Sequence, residues 1–376
     1  MRFETKAIHS GRQIDKSTSS VTMPIHPSTT FERAADGSYP NEFVYSRREN
    51  NPNRRALEDC LTSLEEGHDC VAFASGMAAI TSLIEALPAD KPRRVIMPDD
   101  IYFGIRSLLS DTDIGTNFDI EIVDMTDLNN VEKAIKRAPT GLVWIETPSN
   151  PLVKVTDIEA VAQFAQEAGA YTVVDNTWAT PVLQHPLKHG VDFSLHAVTK
   201  YIGGHSDLMI GAAIAKSDNP MLANLRAWQH AKGAVPSPFD CWLALRGVQS
   251  LAQRMATHCS NTSAIAEFLV HHPNVEAVHY PGLAEHPGHH IAARQMSSFG
   301  GMLSFQVKGG QDEAMAVTAK LQLFTRATSL GGVHSLIEHR ASVEGSATMA
   351  LPNLLRVSVG LEHVDDLKED LSQALE

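Results

Sequence analysis

From residue 53 onward, short apolar runs alternate with stretches of helical spacing, and this alternation limits the fold more than any other feature. The apolar runs are residues 70–73, 94–97, 120–123, 142–146, 171–175, 193–195 and 208–214. Between them, residues 54–64, 77–87, 128–137 and 158–168 carry helical periodicity, with Pro88 and Gly169 as stops. Strands interleaved with helices in this way predict an α/β fold built on a mostly parallel sheet covered on both faces.

The texture changes near residue 235. Residues 239–268 are helical in spacing, and residues 275–278, 302–307 and 354–359 alternate like strands. They predict a smaller C-terminal α+β domain with an antiparallel sheet. The first fifty residues are polar, with Met23-Pro24-Ile25-His26-Pro27 and Asp36-Gly37-Ser38-Tyr39-Pro40 reading as extended chain and turns. Such a segment makes no core alone and is expected to pack on another surface. The expected division is an arm over 1–52, an α/β domain over 53–234 and an α+β domain over 235–376.

The formal net charge of -13 argues against nucleic acid or an anionic membrane as a partner. No run of about 18 apolar residues is present, and Met1-Arg2-Phe3-Glu4-Thr5-Lys6 lacks the apolar core of a signal peptide. Cys60, Cys70, Cys241 and Cys259 match no zinc or redox spacing and read as reduced core residues. The expected location is the cytoplasm.

Lys200 is the residue with the most chemistry in its surroundings. It follows Thr199 and precedes Gly203-Gly204. A lysine so placed can form a Schiff base with pyridoxal phosphate while the threonine hydroxyl reaches the phosphate. Most lysines are solvated surface charges, so the rest of the chain must supply the case. Ligands of open parallel sheets bind at the carboxyl ends of strands. Glu146 and Asp175 end two runs there, and either carboxylate can hold a pyridine nitrogen protonated. Each can equally cap an ordinary loop. Ser75-Gly76-Met77 joins a strand to a helix, where free N–H groups favour an anion. Tyr102 follows another strand and can stack on a flat ring or sit in the core. Arg356 lies mid-strand among apolar residues and needs a carboxylate partner, from the substrate or from the protein. Glu285-His286-Pro287-Gly288-His289-His290 has no metal-ligand spacing, and no metal is expected.

Assembled, these motifs resemble the cystathionine γ-synthase/γ-lyase/β-lyase family of Cys/Met-metabolism pyridoxal phosphate enzymes. The likeness runs from Thr5-Lys6-Ala7-Ile8-His9-Ser10-Gly11 through Ser75-Gly76-Met77-Ala78-Ala79 and Glu146-Thr147-Pro148-Ser149-Asn150-Pro151 to Asp175-Asn176-Thr177. It continues through Thr199-Lys200-Tyr201, Gly204-His205-Ser206-Asp207 and Ser329-Leu330-Gly331-Gly332 to Arg356-Val357-Ser358-Val359-Gly360. The resemblance implies the fold type I of pyridoxal phosphate transferases and a homotetramer built from catalytic dimers. It implies that Lys200 binds the cofactor and shuttles protons, that Tyr102 stacks on the ring and that Asp175 meets the pyridinium. Gly76, Met77 and Thr199 would hold the phosphate, helped by Tyr45 and by Arg47 or Arg48 from the neighbouring subunit's arm. Asn150 would lie near the ring hydroxyl and, with Ser329 and Arg356, bind the substrate carboxylate.

Some positions depart from the family pattern. Ala197 stands where a phosphate-binding serine is common, and Phe103 and Ile105 replace smaller residues. Thr328 and His334 replace residues, glutamate among them, near the expected side-chain pocket. The resemblance thus implies elimination or replacement at the β or γ carbon of a sulfur amino acid, by a cystathionine lyase or γ-synthase type of enzyme. Methionine, a homoserine ester or canavanine is an alternative substrate, and a non-catalytic binding protein on the same fold is a second class.

Overall fold

The computed structural model describes residues 1–12, 14–48, 50–345 and 348–376. Two sheets organise it. The first contains β1 (Asp69–Phe73), β2 (Arg94–Pro98), β3 (Asp119–Val123), β4 (Leu142–Glu146), β5 (Tyr171–Asp175), β6 (Phe193–Ala197) and β7 (Gly211–Ala215). Their order is β1-β7-β6-β5-β4-β2-β3. The pairs from β6 across to β3 are parallel, and β7 runs against both its neighbours. All seven apolar runs become strands, although the last begins at Gly211 rather than 208.

Strand β4 shows why this sheet is buried on both sides. Leu142 and Trp144 join one apolar cluster, while Val143 and Ile145 join another. All four are fully buried. A strand's side chains alternate between faces, so an unbroken apolar run fits only a sheet covered twice. The covering helices carry polar starts. Ser75, Asp127 and Asp157 each accept a backbone N–H at the head of helices Gly76–Glu85, Leu128–Arg137 and Ile158–Glu167.

The second sheet contains β8 (Val275–His279), β9 (Met302–Val307), β10 (Thr325–Arg326), β11 (Leu336–His339) and β12 (Leu354–Ser358). Its order is β10-β11-β12-β9-β8, antiparallel except for the short β10–β11 pair. Leu355 and Val357 face its own core. Arg356, between them, points the other way, toward the first sheet. Ser304, its register partner on β9, donates to the Pro151 carbonyl at 2.7 Å and docks this face on the loop after β4.

The opening fifty residues are not wholly extended. Phe3–His9 is a helix whose Ala7 packs among Ala56, Leu57 and Cys60 of the helix Pro52–Glu65. A seven-residue helix is not stable by propensity alone, so this tertiary contact explains it. The rest of the arm is pinned by polar contacts. Asn53 donates to the Pro24 carbonyl at 2.9 Å and Trp242 to that of Met23 at 2.9 Å. Among the described residues no helix is long and apolar enough to cross a membrane.

Candidate active site

The carboxyl ends of β4, β5 and β6 open on a cavity of about 380 Å³. Glu146 and Asp175, the last residues of β4 and β5, are register partners. Their side chains therefore leave the sheet on one face, and both line the cavity. Glu146 Oε2 accepts the Tyr102 N–H at 2.9 Å, and Asp175 Oδ1 accepts the Thr177 N–H at 3.0 Å. Burial pushes the Glu146 carboxyl well above its usual range, and the neighbouring Asp175 charge pushes the same way. Burial also raises Asp175, against the hydrogen bonds from Thr177. No cation among the described residues pairs with Asp175.

Lys200 stands on the turn after β6, where its N–H bonds the Ala197 carbonyl at 3.0 Å. Its Nζ donates to Ser329 Oγ at 2.6 Å. Burial, then the Arg356 charge, lowers the Lys200 amine to about 8, with Glu338 opposing. A half-buried lysine so shifted holds a usable neutral fraction near neutral pH. Ser329 has φ +86°, a left-handed conformation that is strained for a non-glycine residue. Gly331 follows at φ +77°, and a Cβ there would meet the Tyr201 nitrogen at 2.6 Å. The loop lies against the Lys200–Tyr201 backbone because this position has no side chain.

Arg356 closes the opposite wall. Its Nη1 donates to Asn150 Oδ1 at 3.1 Å, and its Nη2 to the Ser329 carbonyl at 3.1 Å and to Glu338 Oε2 at 2.6 Å. Glu338 is its cross-strand partner on β11. Burial lowers the guanidinium to about 10, with Glu338 opposing. Tyr102, 40% exposed, lines the cavity from the strand end after β2.

Of the residues expected from sequence, Gly76, Met77, Tyr102, Asn150, Asp175, Thr199, Lys200, Thr328, Ser329 and Arg356 all line this one cavity. The Thr199 hydroxyl is engaged with the Ile210 backbone, donating to its carbonyl at 3.3 Å and accepting its N–H at 3.1 Å. Ala197 also lines the cavity. His334 is exposed and does not line it, which removes it from the expected side-chain pocket. Tyr45, Arg47 and Arg48 lie elsewhere on this chain. Tyr45 is 44% exposed, Arg47 Nη1 donates to the His230 carbonyl at 2.8 Å, and Arg48 borders a separate polar hollow.

Two charged side chains escaped the sequence reading. Glu338 and Arg340 flank His339 at the end of β11, both buried, and Arg340 lines the cavity. The signal was available, since charges beside the apolar pair Leu336-Ile337 demand partners just as Arg356 does.

Residues 4–376 match the family model described as Cys/Met metabolism PLP-dependent enzyme. The chain is 45% identical to a cystathionine γ-lyase of Dictyostelium discoideum, covering 100% of this chain and 98% of the relative. It is 44% identical to a cystathionine γ-synthase of Mycobacterium bovis, covering 99% and 96%. The cystathionine γ-synthase structure of Xanthomonas oryzae pv. oryzae in complex with aminoacrylate and cysteine superposes with a TM-score of 0.94, at 40% identity over 100% of this chain and 98% of that one. The chain belongs to the pyridoxal phosphate-dependent enzymes of cysteine and methionine metabolism.

Proposed function

We propose that this enzyme catalyses elimination or replacement at the γ carbon of a sulfur amino acid or its activated homoserine precursor, within trans-sulfuration. The observation that carries this reading is the convergence of a half-buried lysine, a half-buried carboxylate without a cationic partner among the described residues and a buried arginine on one cavity of the family fold. Relatives named γ-lyase and γ-synthase stand at 44–45% identity and relatives named β-lyase at 40–41%, an order that favours γ over β.

The cavity fits pyridoxal 5'-phosphate. Asp175 is a half-buried carboxylate without a cationic partner among the described residues, suited to a pyridinium nitrogen. Ser75 Oγ takes the Ala78 N–H at 3.1 Å, leaving the Gly76 and Met77 N–H groups at the head of a ten-residue helix for phosphate. Thr199, on the same cavity wall, would help hold the phosphate. When bound, the cofactor supplies an aldehyde for amine capture and a ring that stabilises negative charge at Cα.

The chain's own residues do the rest. Lys200 Nζ anchors the cofactor and moves the proton at Cα, for which its lowered basicity suits it. Tyr102 stacks on the ring. Asn150, Ser329 and Arg356 orient the substrate's α-carboxylate. Thr328, at the far wall, meets the side chain.

Met209 and Val343 at the cavity mouth are 59% and 46% exposed, apolar surface suited to cover by a second subunit. The reading is therefore a homotetramer of catalytic dimers, acting in the cytoplasm, in which Tyr45 and Arg47 or Arg48 complete the neighbour's phosphate site. Product analysis with L-cystathionine tests the reaction. 2-Oxobutyrate with cysteine shows γ-cleavage, pyruvate with homocysteine would show cleavage at the β carbon instead, and neither pair would point to synthesis from an activated homoserine or to another substrate. A purified protein without an absorption band near 420 nm would point to the non-catalytic class.

A further inference from the structure

The geometry points to Arg340 as the group that reads the substrate's leaving group, and to an oxyanion as the leaving group it selects. This rests on the γ-chemistry proposed above.

Arg340 begins the short helix Arg340–Glu344 immediately after β11 and is 5% exposed. It lines the cavity together with Thr328, Val343 and Tyr102. One oxygen of Glu338 accepts from both Arg356 Nη2 and Arg340 Nη1, each at 2.6 Å. The two guanidinium groups therefore lie side by side, with Arg356 holding the α-carboxylate and Arg340 set farther along the substrate. Arg340 Nη2 donates to Glu344 Oε1 at 2.6 Å. These two bonds leave one N–H on each terminal nitrogen, and its Nε has no partner.

The four charges of Arg356, Glu338, Arg340 and Glu344 balance one another. Arg340 is thereby fixed in place without a substrate, with one N–H left on each terminal nitrogen at the cavity wall. A planar fork matches the two oxygens of a carboxylate better than a single sulfur. During elimination from an O-acyl homoserine, a base of the site removes a Cβ proton. That C–H electron pair becomes the Cβ–Cγ double bond, and the Cγ–O pair departs on oxygen as a carboxylate. No oxidant or reductant is involved. Arg340 meets the charge where it forms.

The test compares two substrates that share the amino-acid portion and give 2-oxobutyrate. O-Acetyl-L-homoserine releases acetate, and L-homocysteine releases sulfide. The variants are Arg340→Gln and the charge-balanced double variant Arg340→Gln with Glu344→Gln, both as holoenzymes. The ester-to-thiol ratio of kcat/KM should fall about 10- to 100-fold in each variant, the scale of lost charge-assisted hydrogen bonds. Binding supplies the second readout. The Kd of L-2-aminoadipate, whose distal carboxylate occupies the acyl position, should rise by a similar factor while that of L-norleucine holds. An unchanged substrate ratio and an unchanged aminoadipate preference in the folded double variant would overturn the inference, leaving Arg340 as a brace for Glu338. Wild-type enzyme that consumes neither substrate would instead refute the γ-chemistry, and the binding comparison would still decide the role of Arg340.

Discussion

The two walls of the cavity are built by different rules. The floor comes from consecutive parallel strands, so Glu146 and Asp175 are placed by register and the Lys200 turn follows directly from β6. The opposite wall comes from the second sheet and is held by charge. Arg356, Glu338, Arg340 and Glu344 form a buried chain of ion pairs, each 2.6 Å long. Backbone register is indifferent to the substrate, whereas a wall made of charged side chains can be retuned one residue at a time. On this reading the floor, together with Arg356, handles what every substrate shares, and the rest of the second wall with Thr328 handles what distinguishes them.

The floor is broken most severely at Lys200. Lys200→Ala should lower kcat on the order of 10⁴-fold or more, the scale seen when a covalent group is deleted. Borohydride reduction of the wild type should label Lys200 alone in a peptide map, and label on a different lysine would move the site. At Asp175, removing a charge-assisted hydrogen bond costs about 1.5–3 kcal/mol. Asp175→Ala should bind cofactor roughly 10- to 100-fold more weakly and stay slow when saturated. Normal kcat at saturation would separate Asp175 from the chemistry.

The arm asks whether the floor is complete within one chain. Combining Tyr45→Phe with alanine at Arg47 and Arg48 should weaken cofactor retention about tenfold or more. Mixing that variant with Lys200→Ala subunits should restore part of the activity, since one site of each hybrid dimer is then whole. Absence of rescue after verified subunit exchange would argue that each site belongs to a single chain.

The smallest effect is on stability. The folded cofactor-free protein holds the Lys200 proton only below about 8, whereas the unfolded chain keeps it to about 10.4. Between these values the unfolded state binds more protons, so stability should rise with pH across the window. The burial cost is fully present below the window, where Lys200→Met should be the more stable protein. Urea midpoints of the pair should converge toward high pH; a constant difference would mean that the amine is not desolvated.

The floor was largely legible before the fold was known because apolar runs mark buried strands and the residues ending them mark the site. Lys200, Asp175 and Glu146 were all visible as polar residues ending or following such runs. The second wall was less legible. β11 has only four residues, two of them polar, and β10 has two, so neither carries a periodic signal. Arg356 was recognised as needing a partner, yet Glu338 is 18 positions away and meets it only through antiparallel pairing. The helix Phe3–His9 was missed for a similar reason, since its contact with the helix Pro52–Glu65 lies far away in sequence.

The division between shared and selective walls is tested most directly by kcat/KM for L-cystathionine, O-acetyl-L-homoserine and a basic γ-substituted amino acid in wild type, Arg356→Lys and Thr328→Glu. Arg356→Lys should depress all three by one common factor, because lysine cannot reproduce a two-pronged grip on the carboxylate that all three carry. Thr328→Glu should reorder them, with changes of about tenfold or more in their ratios. Reordering by Arg356→Lys, or uniform losses from Thr328→Glu, would contradict the division.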